Sequence, residues 1–207
     1  MAEPIMTGPV ALRTSPLSHL QERMRAAAVA GAQSVTLTEV PFLTMVNVRV
    51  DPTSAAAHRI GRTLGAPLPR RCGDTAASGL HTLMWLGPDE WLVLSSRADA
   101  GTVTAQVRQA LDGAPGSVVD VSANRTTLEL SGPSARQVLE KGCPLDLHPR
   151  AFGPGHAVST TVGPIPVLLW QTDDAPAFRL LPRSSFADYL ARWLIDAMSE
   201  YGGPRVA

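Results

Sequence analysis

The sequence TTLELSGPSARQVLEKGCPLDL, residues 126–147, contains a strand pattern, a turn and a helical pattern in direct succession. The strand pattern covers residues 126–130, where leucine alternates with a charged residue. Residues 131–134 are Ser-Gly-Pro-Ser, a composition typical of turns. A helical pattern then runs from Ala135 to a glycine at position 142. This stretch therefore predicts a strand–turn–helix unit.

The first half of the chain contains the same unit about eighty residues earlier. Residues 43–50 are rich in β-branched side chains and predict a strand. Asp51 and Pro52 favour the start of a helix, Asp51 as the N-cap and Pro52 as the first helical residue. The helical pattern covers residues 53–64 and ends at Gly65, so the two halves begin alike.

Both halves then continue with strands and a second helix, in the same order. The predicted elements are a strand at 35–38, strands at 80–86 and 91–95, a helix after Asp99 that ends at Gly113, strands at 157–162, 165–171 and 178–181, and a last helix after the capping-box pattern Ser185–Asp188. Residues 118–122 are a candidate for the strand that closes the first unit. The fold class predicted is α+β, with two ferredoxin-like βαββα(β) units.

The predicted organisation is an N-terminal extension at 1–33, a first unit at 34–116 and a second unit at 117–207. Leu17, Leu20 and Met24 share a helical face in the extension. Such an extension is either frayed or docked on something else, and we favour docking. A sheet with helices on one face leaves the other face open, and that face must meet its twin or another protein. In the second case the isolated chain should be unstable.

Composition excludes several classes of function. The chain has 207 residues, of which 44% are hydrophobic and 17% charged, so it can bury a core. The formal net charge is zero, which argues against a nucleic-acid-binding face. Cys72 and Cys143 have neither disulfide-framework nor zinc spacing. No stretch has the length of a membrane span or the pattern of a signal peptide, so we expect a cytoplasmic protein.

The sequence lacks the common motifs of catalytic and cofactor sites. It has no GxGxxG after a strand, no GxxxxGK[ST] and no GxSxG. Its histidines do not have metal-ligand spacing. We therefore predict no catalytic, cofactor-binding or metal-binding residue in this chain.

A cluster of basic residues is the strongest local charge feature of the sequence. Arg59, Arg62, Arg70 and Arg71 lie on the helical pattern and the loop after it, together with His58. Such a cluster is either a solvated face or a docking patch for an acidic partner. Lys141, Gly142 and Cys143 predict a cationic last helical turn, a C′ glycine and a buried thiol.

Several short motifs resemble those of known families. The runs DVS at 120–122, LELSGPSA at 128–135 and DL at 146–147 resemble the glycine-cleavage T protein and related folate-binding enzymes. A finer resemblance is to the gamma subunits of heterotetrameric sarcosine oxidase. The runs that carry it are WLGPDEW at 85–91, VSANR at 121–125, KGCPLDLHP at 141–149, WQT at 170–172 and SFADY at 185–189.

The resemblance implies a T-protein-like fold and a place in a complex with alpha, beta and delta subunits. That complex oxidises sarcosine to glycine, formaldehyde and hydrogen peroxide, in sarcosine catabolism linked to one-carbon metabolism. It uses FAD, FMN, NAD and tetrahydrofolate, none of them bound by the gamma subunit. The folate half of alpha is the expected contact.

The sequence departs from the catalytic relatives at one hairpin. Those relatives carry a polar run with a glutamate for the pterin, whereas residues 167–172 here are Val-Leu-Leu-Trp-Gln-Thr. Apolar side chains there would leave a pterin without hydrogen-bond partners. We therefore expect a non-catalytic subunit. The alternatives are a stand-alone folate-binding or aminomethyltransferase-like protein and a small interaction module unrelated to amine oxidation.

Overall fold

The computed structural model describes residues 13–202. It contains the helices α1 (Gln21–Ala26), α2 (Ala55–Leu64), α3 (Ala100–Leu111), α4 (Ala135–Glu140) and α5 (Ala187–Met198). Its strands are β1 (Thr36–Glu39), β2 (Thr44–Val50), β3 (Thr75–Ala77), β4 (His81–Gly87), β5 (Glu90–Ser95), β6 (Gly116–Asp120), β7 (Leu128–Ser131), β8 (Ala157–Val162), β9 (Ile165–Asp173) and β10 (Ala177–Pro182). Within residues 13–202, no helix is long and apolar enough to cross a membrane.

The first sheet has the strand order β3-β4-β5-β2-β6, and the strand pairs given by the register are antiparallel. Val46, Val48 and Val50 of β2 alternate with polar residues and pack against α2 and α3 in one core. Trp91 of β5 lies fully buried in the same core. The predicted closing strand is confirmed, since β6 pairs with β2. Strand β3 was not predicted.

The second sheet has the order β1-β7-β10-β9-β8 and repeats the plan of the first. In each sheet the strand before the helix, β2 before α2 and β7 before α4, lies second from one edge, and a strand from outside that unit's βαββα order forms the edge beside it. That strand is β6 in the first sheet and β1 in the second. The inferred duplication and the α+β fold class are confirmed. Strand pairing crosses the 116/117 boundary in both directions, and the division into two domains stays a prediction.

The two sheets pack against each other through the faces that their helices leave free. A core between them contains Met45, Met84, Leu92, Leu168 and Leu181, which are at most 2% exposed. These residues alternate along their strands with those facing the helices, as the pleat requires. The sequence left open whether a twin or another protein covers these faces. In the structure each sheet covers the free face of the other. The isolated chain is therefore no longer expected to be unstable on the ground of an open sheet face.

The described part of the N-terminal extension is docked on the second unit. Leu17, Leu20 and Met24 are at most 3% exposed and belong to the core between the second sheet and its helices. Residues 1–12 of the predicted extension lie outside the described residues. The predicted docking of this helical face is confirmed for the part from residue 13 onward.

Two predicted helix caps are wrong. Helix α2 begins at Ala55 with Ser54 as its N-cap, because the Ser54 hydroxyl accepts a hydrogen bond from Ala57 N at 3.2 Å. Asp51 accepts instead from Thr53 N at 2.8 Å, in the turn before the helix. At α5, Ser185 makes no cap, and Asp188 bonds instead to His19 of the N-terminal segment and to Arg192 one turn later in the helix. The stop at Gly65 is confirmed, with φ at 78°.

Gly142 has a different role from the one predicted. It does not have a positive φ, so it is not a left-handed C′ glycine. A Cβ at this position would lie 2.6 Å from Trp193 Cζ2 and 2.9 Å from Gly163 N. Glycine is therefore needed for the close approach of α5 to this loop. The predicted burial of Cys143 is confirmed, since this residue is 8% exposed.

Candidate docking surface and the T-protein-like hairpin

A groove forms between α2 and the loop that follows it. Gly65 turns the chain, and the loop packs so tightly that a Cβ on Gly61 would lie 3.2 Å from Ala66 O. The indole Nε1 of Trp91 donates to Pro69 O at 2.7 Å and holds the loop in place. The groove has a volume of about 450 Å³, and its floor includes Ala57 and Leu68.

Two of the four predicted docking arginines line this groove. Arg62 and Arg70 lie at its rim with His58, and all three side chains are exposed. Arg71 is exposed next to Arg70 in the chain. In the described part of the chain these three arginines form no ion pair with a carboxylate. The groove therefore offers an apolar floor with a cationic rim.

The side chain of Arg59 is used in hydrogen bonds within the protein. Its Nε donates to Ala110 O at 2.8 Å and its Nη2 donates to Leu111 O at 3.1 Å. These carbonyls end α3, so Arg59 satisfies backbone acceptors that the helix leaves unpaired. Its Nη2 also lies 3.8 Å from Asp112 Oδ2. Arg59 thus holds α2 against α3, and its docking role stays a prediction.

The hairpin β9–β10 contains the run that distinguishes this sequence from folate-binding relatives. Val167 and Leu169 face the helix-side core, while Leu168 and Trp170 pack between the sheets. Gln171 is 2% exposed, and its amide is satisfied by Arg136 Nη2 at 3.2 Å and Asp173 O at 3.0 Å. The side chains of this run are therefore engaged by the protein's own packing and hydrogen bonds.

A small cleft remains where the hairpin meets the first sheet. His81 and Trp170 line it, with a volume of about 130 Å³. His81 Nδ1 and Trp170 Nε1 are buried without a hydrogen-bond partner between residues 13 and 202. Burial lowers the pKa of His81 below its ordinary value, which favours the neutral form of its imidazole. The cleft is large enough to admit water, which can satisfy such atoms.

A second groove was missed by the sequence analysis. Arg125, between β6 and β7, and Arg183, after β10, form an isolated backbone bridge and line one groove of about 640 Å³. They are far apart in the chain, and in the sequence Arg125 stands out only as part of the VSANR motif at residues 121–125. To predict this pair, one would need to know which residue pairs with Arg125 through the backbone, and a single sequence does not show that.

The described residues contain no group of three or more histidine, cysteine, aspartate or glutamate side chains that could hold a metal ion. Cys143 Sγ lies 4.0 Å from the hydroxyl of Thr160, and neither group can act as a strong base. Lys141 pairs with Glu200 at 2.8 Å, beside the ring of Tyr201. Lys141 therefore forms a local ion pair, while Gly142 and Cys143 take part in packing.

The fold defines a class of protein. The aminomethyltransferase T of the glycine cleavage system from Bartonella henselae has a similar structure, with a TM-score of 0.65 over 89% of this chain and 57% of that chain. The two sequences are 15% identical, so the likeness concerns the fold. The chain therefore has a glycine-cleavage T-protein-like fold.

The sequence places the chain more narrowly. Residues 47–200 match the model of the sarcosine oxidase, gamma subunit family. Sarcosine oxidase subunit gamma from an Arthrobacter species is 45% identical over the full length of both chains, and so is its counterpart from Corynebacterium sp. strain U-96. A chain in the structure of heterotetrameric sarcosine oxidase from Corynebacterium sp. U-96 superposes with a TM-score of 0.90 at 44% identity, covering 95% of this chain and 100% of that one. The chain belongs to the sarcosine oxidase gamma subunit family.

Proposed function

We propose that this chain is a non-catalytic subunit of a heterotetrameric, flavin-dependent sarcosine oxidase. The observation that carries the proposal is its full-length similarity to gamma subunits, together with the fit of its fold to a chain of that complex. Its partners are then the alpha, beta and delta subunits, with the folate half of alpha as the main contact. We further propose that the assembly is cytoplasmic.

The residues of the T-protein-like hairpin support a non-catalytic role. A pterin needs polar partners in a buried site, and an apolar site that lacks them binds it weakly. Between residues 167 and 170 the side chains pack into two of the protein's cores, the one between the second sheet and its helices and the one between the two sheets. The proposed role is therefore assembly, while FAD, FMN, NAD and tetrahydrofolate are held by the other subunits.

The proposed reaction is the oxidative demethylation of sarcosine to glycine. Formaldehyde, or its tetrahydrofolate adduct, and hydrogen peroxide are the other products. This chain contributes no group to the chemical step. Its removal should therefore act through the amount and stability of the assembled oxidase rather than through the affinity for sarcosine.

Co-expression with the alpha, beta and delta chains tests the proposal. We expect a tag on this chain to recover a yellow complex that consumes oxygen with sarcosine. Omission of this chain should lower the yield of the complex and leave the KM for sarcosine unchanged in what remains. Recovery of this chain alone and colourless, with full assembly of the other three, would contradict the subunit role.

The α2 groove is the proposed docking surface. The double substitution Arg62→Glu/Arg70→Glu reverses two exposed charges at its rim and should slow association with an acidic partner, with a salt-dependent effect. Arg97→Glu, on the exposed loop before α3, is the matched control. Equal association rates for the two variants would show that the groove is a solvated surface.

Titration of the isolated chain with tetrahydrofolate separates this proposal from a stand-alone folate-binding protein. We expect no heat of binding at micromolar ligand by calorimetry. Saturable micromolar binding would support the folate-binding alternative instead.

A further inference from the structure

Arg125 and Arg183 are held side by side by backbone contacts. Ser184 N donates to Asn124 O at 2.9 Å, and the Ser184 hydroxyl donates to Ala123 O at 3.0 Å. These bonds lock the segment before β7 against the segment after β10. The backbones of the two arginines are therefore held next to each other, and both residues line one groove.

The charge of this pair is not balanced within the described part of the protein. Arg125 Nη1 donates to Leu181 O at 2.7 Å, a neutral acceptor, and within the described residues the Arg183 side chain forms neither a hydrogen bond nor an ion pair. Burial, and then the charge of Arg183, lower the pKa of Arg125 below its ordinary value. Two like charges in a partly desolvated groove are unfavourable until a negative group joins them.

An aromatic side chain that the protein leaves exposed lines the groove. This residue is Phe186, which is 42% exposed, and Tyr189, three residues further along the chain in α5, is 52% exposed. Arginine and aromatic residues are the types enriched at protein–protein interfaces and their hot spots. This composition favours a protein segment over a small free anion as the occupant.

We propose that Arg125 and Arg183 bind a carboxylate in an acidic segment of a partner subunit, with Phe186 and Tyr189 packing against that segment. This inference rests on the proposed subunit role and adds a second contact to the α2 groove. The arginine forks suit bidentate pairing with a carboxylate, which would neutralise the pair on assembly.

The test uses the co-expressed four-chain complex with Arg183→Glu in this chain. Arg183 is exposed and has no described internal side-chain partner, so the isolated variant should melt within about 2 °C of the unaltered chain. We expect the concentration at which the complex half-dissociates, measured by mass photometry on dilution, to rise about thirtyfold. Arg97→Glu should leave it unchanged, and Arg183→Lys should shift it much less than Arg183→Glu.

The outcomes separate this inference from the subunit role. An unaltered complex with Arg183→Glu overturns the inference and leaves the subunit role intact. An unmodified chain that does not assemble overturns both. If millimolar phosphate raises the melting temperature of the isolated chain but not of Arg183→Glu, and assembly is unaffected by the substitution, the groove binds a small anion instead.

Discussion

Leu168 offers a direct test of the core between the two sheets. It is 1% exposed in the structure and packs in that core with residues of the opposite sheet. Replacement by alanine removes buried methyl groups and leaves a cavity, a change that costs about 2–5 kcal/mol in packed cores. With both sheet faces covered inside one chain, we expect a loss of about 3 kcal/mol.

The assay is urea denaturation of the isolated chain, supported by thermal unfolding. For a chain of this size, 3 kcal/mol corresponds to a fall in Tm of about 6–12 °C. Two leucines serve as matched controls for the same substitution. Leu169→Ala, fully buried on the helix side, should cost a similar amount, and Leu80→Ala, 53% exposed, should cost almost nothing.

The result that refutes the reasoning is a small effect at Leu168 beside a large one at Leu169. That outcome would mean that the inter-sheet face is loose or open in the isolated chain and is completed only by a partner. The reasoning is refuted if Leu168→Ala lowers the free energy of unfolding by less than about 1 kcal/mol, as little as Leu80→Ala does.

Three further predictions concern other parts of the chain. Gly142→Ala should destabilise the protein by about 1–3 kcal/mol, because the added Cβ meets Trp193 and the neighbouring backbone. Gly79→Ala, with nothing within 4 Å of the added Cβ, is its control in the same denaturation series. Hydrogen bonds from Arg192 and then His19 lower the pKa of Asp188 from 3.8 to about 2, so the stability they confer is present above pH 3.8 and is lost as the pH falls to about 2. The stability difference between the unaltered chain and Asp188→Asn should therefore shrink across that window, and a difference constant with pH would contradict the assignment. A thiol reagent should modify Cys72 at once in the native chain and Cys143 only on unfolding, because Cys72 is exposed and Cys143 is buried; rapid labelling of both by mass spectrometry would contradict this.

The strands of the second half could be predicted closely from the sequence, and β8 has the predicted bounds. Their alternation is strong, because each strand has one face toward helices and one toward the other sheet. Strand β3 was not predicted because the residues Thr75-Ala76-Ala77 have little hydrophobic pattern. They form a strand only through pairing with β4. The pairing of β1 with β7 was not predicted for a related reason. The residue pattern of a strand does not specify which sheet edge the strand joins.

The site was less predictable than the fold, since it depends on contacts between distant residues. The cluster at Arg59 and Arg62 was visible because it is local in sequence, yet sequence could not show that Arg59 bonds to the end of α3. The pair of Arg125 and Arg183 was invisible because a backbone bridge brings it together. Local charge patterns thus find candidate surfaces, and the tertiary structure decides which charges are already used.

Because the two sheets cover each other, binding of partner subunits is not needed to complete the core of this chain. Had a partner covered an open sheet face, the chain would need that partner to complete its core. Since the core between the sheets is internal, contacts with partners have to use helices, loops and edges, where the Arg62 and Arg183 grooves lie. Partners then stabilise an already folded chain by mass action, by an amount that rises with their concentration relative to Kd. The isolated chain should accordingly fold cooperatively without the other subunits, and its Tm should increase as they are added.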